Sequence, residues 1–154
     1  MEIERKFLVT RLPEHLERFP CRFLEQAYLS TDPVIRVRRI GGGESDRYVL
    51  TVKGDGLLSR EEFELPLTED QYGRLLARAE GNRIGKSRYR IPWEGVTIEL
   101  DVFAPPFAPL VYAEVEFPDE AAARAFSPPD WFGREVTYAP AYTNAALSRR
   151  VPDT

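Results

Sequence analysis

The chain has 154 residues, 43% of them hydrophobic and 30% charged, with a formal net charge of -4. That length suits one domain, taken as residues 1-154, with a core of its own, and the acid excess argues against a general binder of nucleic acid or anionic membranes. A single cysteine, Cys21, and a single histidine, His15, exclude an intramolecular disulfide and a zinc cluster; Cys21 reads as a small buried hydrophobe and His15 as a surface helix residue.

In chain order, the opening MEIERKFLV reads as a strand. A short helix is expected around Pro13 to Arg18, then strands at CRFLEQAYLS, PVIRVRRI, DRYVLTVK and LSREEFELPL. These runs are rich in Val, Ile, Tyr and Phe and are bounded by GGGESD and GDG turns, which are hairpin signals. Thr68, followed by two acids, opens a helix with Gly81 as its stop, and Tyr72, Leu75, Leu76 and Ala79 share a face. Strands resume at RIGKSRYRIPW and VTIELDVF around a Glu94-Gly95 turn, and after the APPFAPL loop comes LVYAEVEF. PDEAAARAF reads as a helix, and the tail as an irregular stretch with a last short helix from about Tyr142. Eight closely spaced strands with few helices predict a mainly β fold, an eight-stranded antiparallel barrel or strongly curved sheet. No apolar run approaches the roughly 20 residues of a membrane helix, and no basic-then-apolar leader opens the chain. A cytoplasmic protein without membrane partners is expected.

Period-two charge is the recurring feature. In the first strand Glu2, Glu4 and Lys6 point one way and Ile3, Arg5 and Phe7 the other, because successive strand side chains leave opposite faces. Arg36 and Arg38 then share a face, and Lys53 ends YVLTVK. Glu62 pairs with Glu64, and Lys86, Arg88 and Arg90 alternate with Ser87, Tyr89 and Ile91. Glu99 with Asp101, and Glu114 with Glu116, complete a set of eight carboxylates and seven cations. Two arrangements fit. If the charged faces meet water, the apolar faces form a sandwich; yet a solvated face has no reason to carry blocks of one sign, since adjacent carboxylates resist ionising together. If the charged faces point inward, they need a highly charged ligand and metal ions, because unpaired buried charge is too costly. An eight-stranded barrel has room inside for one small ligand. Guanidinium forks suit phosphate oxygens, and carboxylate pairs suit Mg²⁺ or Mn²⁺. GGGESD lacks the lysine and spacing of a phosphate-cradling glycine loop.

Glu2-x-Glu4-x-Lys6 resembles the ExExK signature of the CYTH superfamily, the triphosphate tunnel metalloenzymes. The succession IRVRR, LTVKG, EEFEL, KSRYRI, IELDVF and AEVEF resembles that family from residue 2 to about 148, in its short bacterial, tripolyphosphatase-like form. The resemblance implies a tunnel-shaped barrel and metal-dependent hydrolysis of inorganic tripolyphosphate to pyrophosphate and phosphate. Other branches act on thiamine triphosphate or RNA 5′-triphosphates, or cyclise ATP. A non-catalytic polyphosphate or nucleotide binder is a further alternative. By carry-over, Glu2, Glu4, Glu62, Glu64, Glu114 and Glu116 hold Mg²⁺ or Mn²⁺, and Glu99 and Asp101 bind metal or orient the cations. Lys6, Arg36, Arg38, Lys53, Lys86, Arg88 and Arg90 grip phosphate, and Lys86, Glu4 or Glu2 activates water. The expected partner is a small-molecule triphosphate, not nucleic acid, and the assembly a monomer or homodimer. The tail FGREVT carries Arg134 where the family has lysine and lacks the usual charged turn, while Tyr142 and Asn144 remain. That leaves tunnel closure at this end open.

Overall fold

The structure is a computed structural model that describes residues 1–149. Ten strands and three helices follow one another: β1 (Glu2–Val9), β2 (Cys21–Thr31), β3 (Val34–Ile40), β4 (Arg47–Lys53), β5 (Ser59–Arg60), β6 (Glu62–Leu67), α1 (Glu69–Leu76), β7 (Glu80–Trp93), β8 (Val96–Phe103), β9 (Val111–Glu116), α2 (Glu120–Ala125), β10 (Phe132–Glu135) and α3 (Asn144–Arg149). The sheet runs β1-β9-β8-β7-β2-β3-β4-β6, every neighbour antiparallel. β5, just upstream of β6, returns to β1 through Glu2↔Arg60 and Ile3↔Ser59. Eight staves therefore form a nearly closed antiparallel barrel, as the strand pattern predicts.

Five local expectations change. The expected strand LSREEFELPL breaks at Glu61 into β5 and β6, so one part pairs with β1 and the other with β4. The tail read as irregular contains β10, which takes the edge of β1 beyond β5. The helix after Thr68 ends at Leu76, and Gly81 lies inside β7 rather than stopping it. The helix near Pro13 shrinks to a 3₁₀ turn at Leu16–Arg18, so His15 precedes a turn and sits in no helix. Cys21, expected inside, is exposed at the start of β2, where the strand has not yet entered the core.

Local chemistry accounts for the helix starts. Thr68 Oγ1 accepts from Gln71 N at 3.1 Å while Gln71 Oε1 accepts from Thr68 N at 2.9 Å, a reciprocal capping box. Asp119 Oδ1 accepts from Ala122 N at 2.7 Å. The outer faces of β1, β7, β8 and β9 are apolar. Phe7, Ile91, Ile98, Leu100 and Val115 pack beneath Ala123 of α2 and Trp131 and Phe132 of the tail. Each such fully buried side chain contributes about 1.5–3 kcal/mol, and this stripe is what turns the opposite faces inward. At one end of the barrel the inward faces are themselves apolar: Tyr28, Ile84, Phe103 and Tyr112 enclose Leu147 of α3. Gly81 permits that docking. Its φ of 74° lies in the left-handed region, and a Cβ there would collide with the Ser148 carbonyl oxygen. No helix among the described residues is long and apolar enough to cross a membrane.

Candidate active site

Above the apolar floor the barrel encloses a cavity of about 900 Å³. Glu2, Glu4 and Lys6 of β1 line it, as do Arg36 and Arg38 of β3, Lys53 of β4, and Glu62 and Glu64 of β6. Arg88 and Arg90 of β7, Glu99 of β8, and Glu114 and Glu116 of β9 complete the lining named from the sequence. The charged faces point inward; the sandwich with solvated charges does not form.

One wall is acidic. Glu4 stands opposite Glu116, and Lys6 opposite Glu114, across the β1–β9 ladder; like charges directly opposite in a ladder repel. Burial, then the charges of Glu114 and Glu2, push the Glu4 carboxyl up to about 8. Burial and a hydrogen bond with Glu62 raise Glu2, although Lys53 Nζ donates to Glu2 Oε1 at 3.0 Å and Arg60 Nε lies 3.6 Å from the same oxygen. Burial and the charges of Glu2, Glu99 and Glu62 raise Glu116. Glu114 behaves oppositely. Burial disfavours its charge, but Lys6, at 3.6 Å, together with Arg88, Lys86 and Lys53 outweighs burial and holds it well below the usual range.

The boundary with the floor holds Lys86 and Asp101, both with 0% exposure. Lys86 Nζ lies 2.6 Å from Asp101 Oδ2, off the line of a hydrogen bond. Arg88 clamps Asp101 from Nε at 2.7 Å and Nη2 at 2.8 Å. Burial opposes the Asp101 charge, yet Arg88 and Lys86 prevail and lower its pKa. Burial pushes Lys86 down to about 7 against the pull of Asp101. Lys86 is thus the one predicted phosphate or proton-handling residue that lies behind the cavity surface, and Asp101 pairs with both Lys86 and Arg88.

The other wall belongs to arginine. Arg38 Nε and Nη2 donate to Gln26 Oε1 at 2.9 and 2.6 Å, and Arg36 Nη2 donates to Thr51 Oγ1 at 3.2 Å. Arg36 Nε is buried without a hydrogen-bond partner among the described residues. Burial and the neighbouring Arg36 and Arg88 lower the pKa of Arg38 to about 9.

The tail seats β1. Glu135 accepts from Arg5 Nε and Nη2 at 2.8 and 2.7 Å and from Thr137 Oγ1 at 2.6 Å, while Lys6 N donates to Thr137 Oγ1 at 3.0 Å. Lys6 Nζ donates to the Tyr142 carbonyl at 3.2 Å. Arg134 Nη2 donates to the Tyr142 hydroxyl at 2.8 Å, so the arginine in FGREVT holds the strap that leads into α3.

Sequence reasoning missed Arg60, Gln26 and Thr51. Arg60 carried a signal, since it precedes Glu62 by two on the same period-two face. Gln26 and Thr51 carried none, being uncharged residues outside the blocks of like charge. Among the described residues no three acidic side chains already converge at metal-ligand distance. The wall nevertheless suits a divalent ion: it has hard oxygen donors, and two of its carboxyls, Glu2 and Glu4, are held above their ordinary range by burial and by neighbouring carboxylates, which a cation would relieve.

Comparison with known proteins agrees. The CYTH domain family model matches residues 1–139. An inorganic triphosphatase of Nitrosomonas europaea is 44% identical over 157 aligned residues, covering 98% of this chain and 99% of the relative. One from Acetivibrio thermocellus is 37% identical, covering 95% and 92%. A crystal structure of an inorganic triphosphatase superposes with a TM-score of 0.72 at 39% identity, covering 99% of this chain and 97% of that one. A barrel with carboxylates on one inner wall and arginines on the other, matched along nearly its whole length, belongs to the CYTH domain family.

Proposed function

We propose that this protein is a cytoplasmic, Mg²⁺- or Mn²⁺-dependent triphosphatase that hydrolyses inorganic tripolyphosphate to pyrophosphate and phosphate. One observation carries the reading: the same cavity sets an acidic wall short of counter-charge against an arginine wall short of anions. The likeness to two inorganic triphosphatases over nearly the full chain supports it.

Glu2, Glu4 and Glu62, with Glu64, Glu114 and Glu116 around them, would hold the metal. When bound, a divalent ion neutralises phosphate charge and lowers the pKa of a coordinated water. Arg36, Arg38 and Arg88 grip the phosphate chain, with Lys6, Lys53 and Arg90 at its flanks. Phosphoryl transfer asks mostly for positioning and charge neutralisation. The water oxygen bonds to the terminal phosphorus, the bridging P–O bond breaks, and pyrophosphate leaves with the electron pair. The proton of that water passes to a carboxylate of the β1 pair, Glu2 or Glu4. Lys86 contributes its charge from behind the wall through Asp101 and Arg88.

The test is phosphate release from tripolyphosphate with Mg²⁺ or Mn²⁺, beside ATP, thiamine triphosphate and pyrophosphate, with and without chelator. Release from tripolyphosphate that chelator abolishes is expected. Preference for thiamine triphosphate, formation of cyclic AMP, or binding without turnover would each overturn the substrate or the reaction.

A further inference from the structure

The cations of the cavity divide by the charge of the groups that hold them. Lys53 is held by Glu2 at 3.0 Å, Lys6 by Glu114 at 3.6 Å, and Arg88 by Asp101 at 2.7 and 2.8 Å. Among the described residues, the side-chain hydrogen bonds that hold Arg38 come from the amide oxygen of Gln26, and that of Arg36 from the hydroxyl of Thr51. Gln26 and Thr51 each have 0% exposure, so neither can meet ligand through bulk solvent. Gln26 stands opposite Arg38 in the β2–β3 ladder, and Thr51 opposite Arg36 in the β3–β4 ladder.

We infer that Gln26 is a positioning residue whose neutrality matters: it fixes the Arg38 guanidinium towards the cavity by two hydrogen bonds while leaving its positive charge for the triphosphate, and Thr51 does the same for Arg36. This inference rests on the triphosphate reading of the cavity. A carboxylate in either place would hold the arginine more tightly, because charge-assisted forks are the stronger bonds. It would also cancel the charge that the ligand needs. The Arg36 Nε without a partner and the mutual repulsion of Arg36 and Arg38 fit a wall that waits for an anion.

The near-isosteric Gln26→Glu separates this role from simple support. Tripolyphosphate is titrated calorimetrically into wild-type and variant protein with chelator present, so that no turnover intervenes, and the melting temperature of each ligand-free protein is recorded. Gln26→Glu should weaken tripolyphosphate binding about tenfold or more, equivalent to about 1.4 kcal/mol, with a melting temperature equal to or above wild type. Thr51→Asp, which pairs a carboxylate with Arg36, should weaken it in the same direction. Equal affinities, or wild-type protein that does not bind tripolyphosphate without metal, would overturn the inference. Weakened binding by the variants in a protein that releases no phosphate with metal would leave the inference standing and remove the hydrolytic reading instead.

Discussion

The two inner walls solve opposite problems. On the β1–β9 side, Glu4 faces Glu116 across the ladder and holds a proton it would release in water; on the β3 side, arginines repel one another and rest on neutral oxygens. Lys86 and Arg88 sit between them with Asp101 and Glu99, two cations matched by two carboxylates. Each wall alone is unfavourable, and the two become compatible when a cation meets one and an anion the other. Under the proposed function, unfavourable charge and ligand binding share the residues of the two walls, while the ion pairs of Asp101 carry stability.

That contrast can be broken first at the cluster. Asp101→Asn takes from Lys86 its ion-pair partner and leaves Arg88 paired with Glu99 alone, and should destabilise the fold by roughly 3–5 kcal/mol, read as denaturant midpoint. On the acidic wall, Glu4→Ala should cut turnover with Mg²⁺ or Mn²⁺ by about 100-fold or more, beyond the loss that outer-shell partners of metals typically cause. Its ligand-free melting temperature at neutral pH should hold or rise, since the cost of burying an acid that must take up a proton to fold is removed. Near-normal turnover would remove the metal assignment.

Proton linkage sharpens the same wall. Glu4 is raised from 4.5 to about 8, so between those values the folded state keeps a proton that the unfolded state has lost. Its stabilising contribution is complete below pH 4.5 and is lost as the pH climbs through 8. In chelator, thermal stability should fall across this window, and Mg²⁺ or Mn²⁺ should flatten the fall while releasing protons; calorimetry in buffers of different ionisation enthalpy measures the release. Arg60→Ala removes a partly exposed partner of Glu2 and should raise KM by no more than the roughly 1 kcal/mol of an exposed ion pair. Outside the barrel, Phe63, 59% exposed on β6, should tolerate Phe63→Ser within about 0.5 kcal/mol of stability and with unchanged kcat. A large loss there would place function on the outer face.

Much of this was legible. Alternation in EIERK, IRVRR, EFEL and AEVE fixed which side chains share a face, since strand geometry leaves no choice. The blocks of one sign pointed those faces inward. β10 was not legible: FGRE is short, lacks alternation, and pairs because β1 offers it a free edge beyond β5. Cys21 was misplaced because a small hydrophobe at a strand's first residue has no pattern to say where the core begins.

By itself the sequence determined the strand faces, the eight staves and the charge inventory, because these follow from local periodicity and turn chemistry. Only the tertiary structure decided which charges neutralise which. It paired Lys86 with Asp101 behind the wall, gave Arg38 to Gln26 and Arg36 to Thr51, and brought Arg60 to Glu2. Partners of that kind lie on different strands, and their distances are set by barrel closure and register, which no stretch of local sequence encodes.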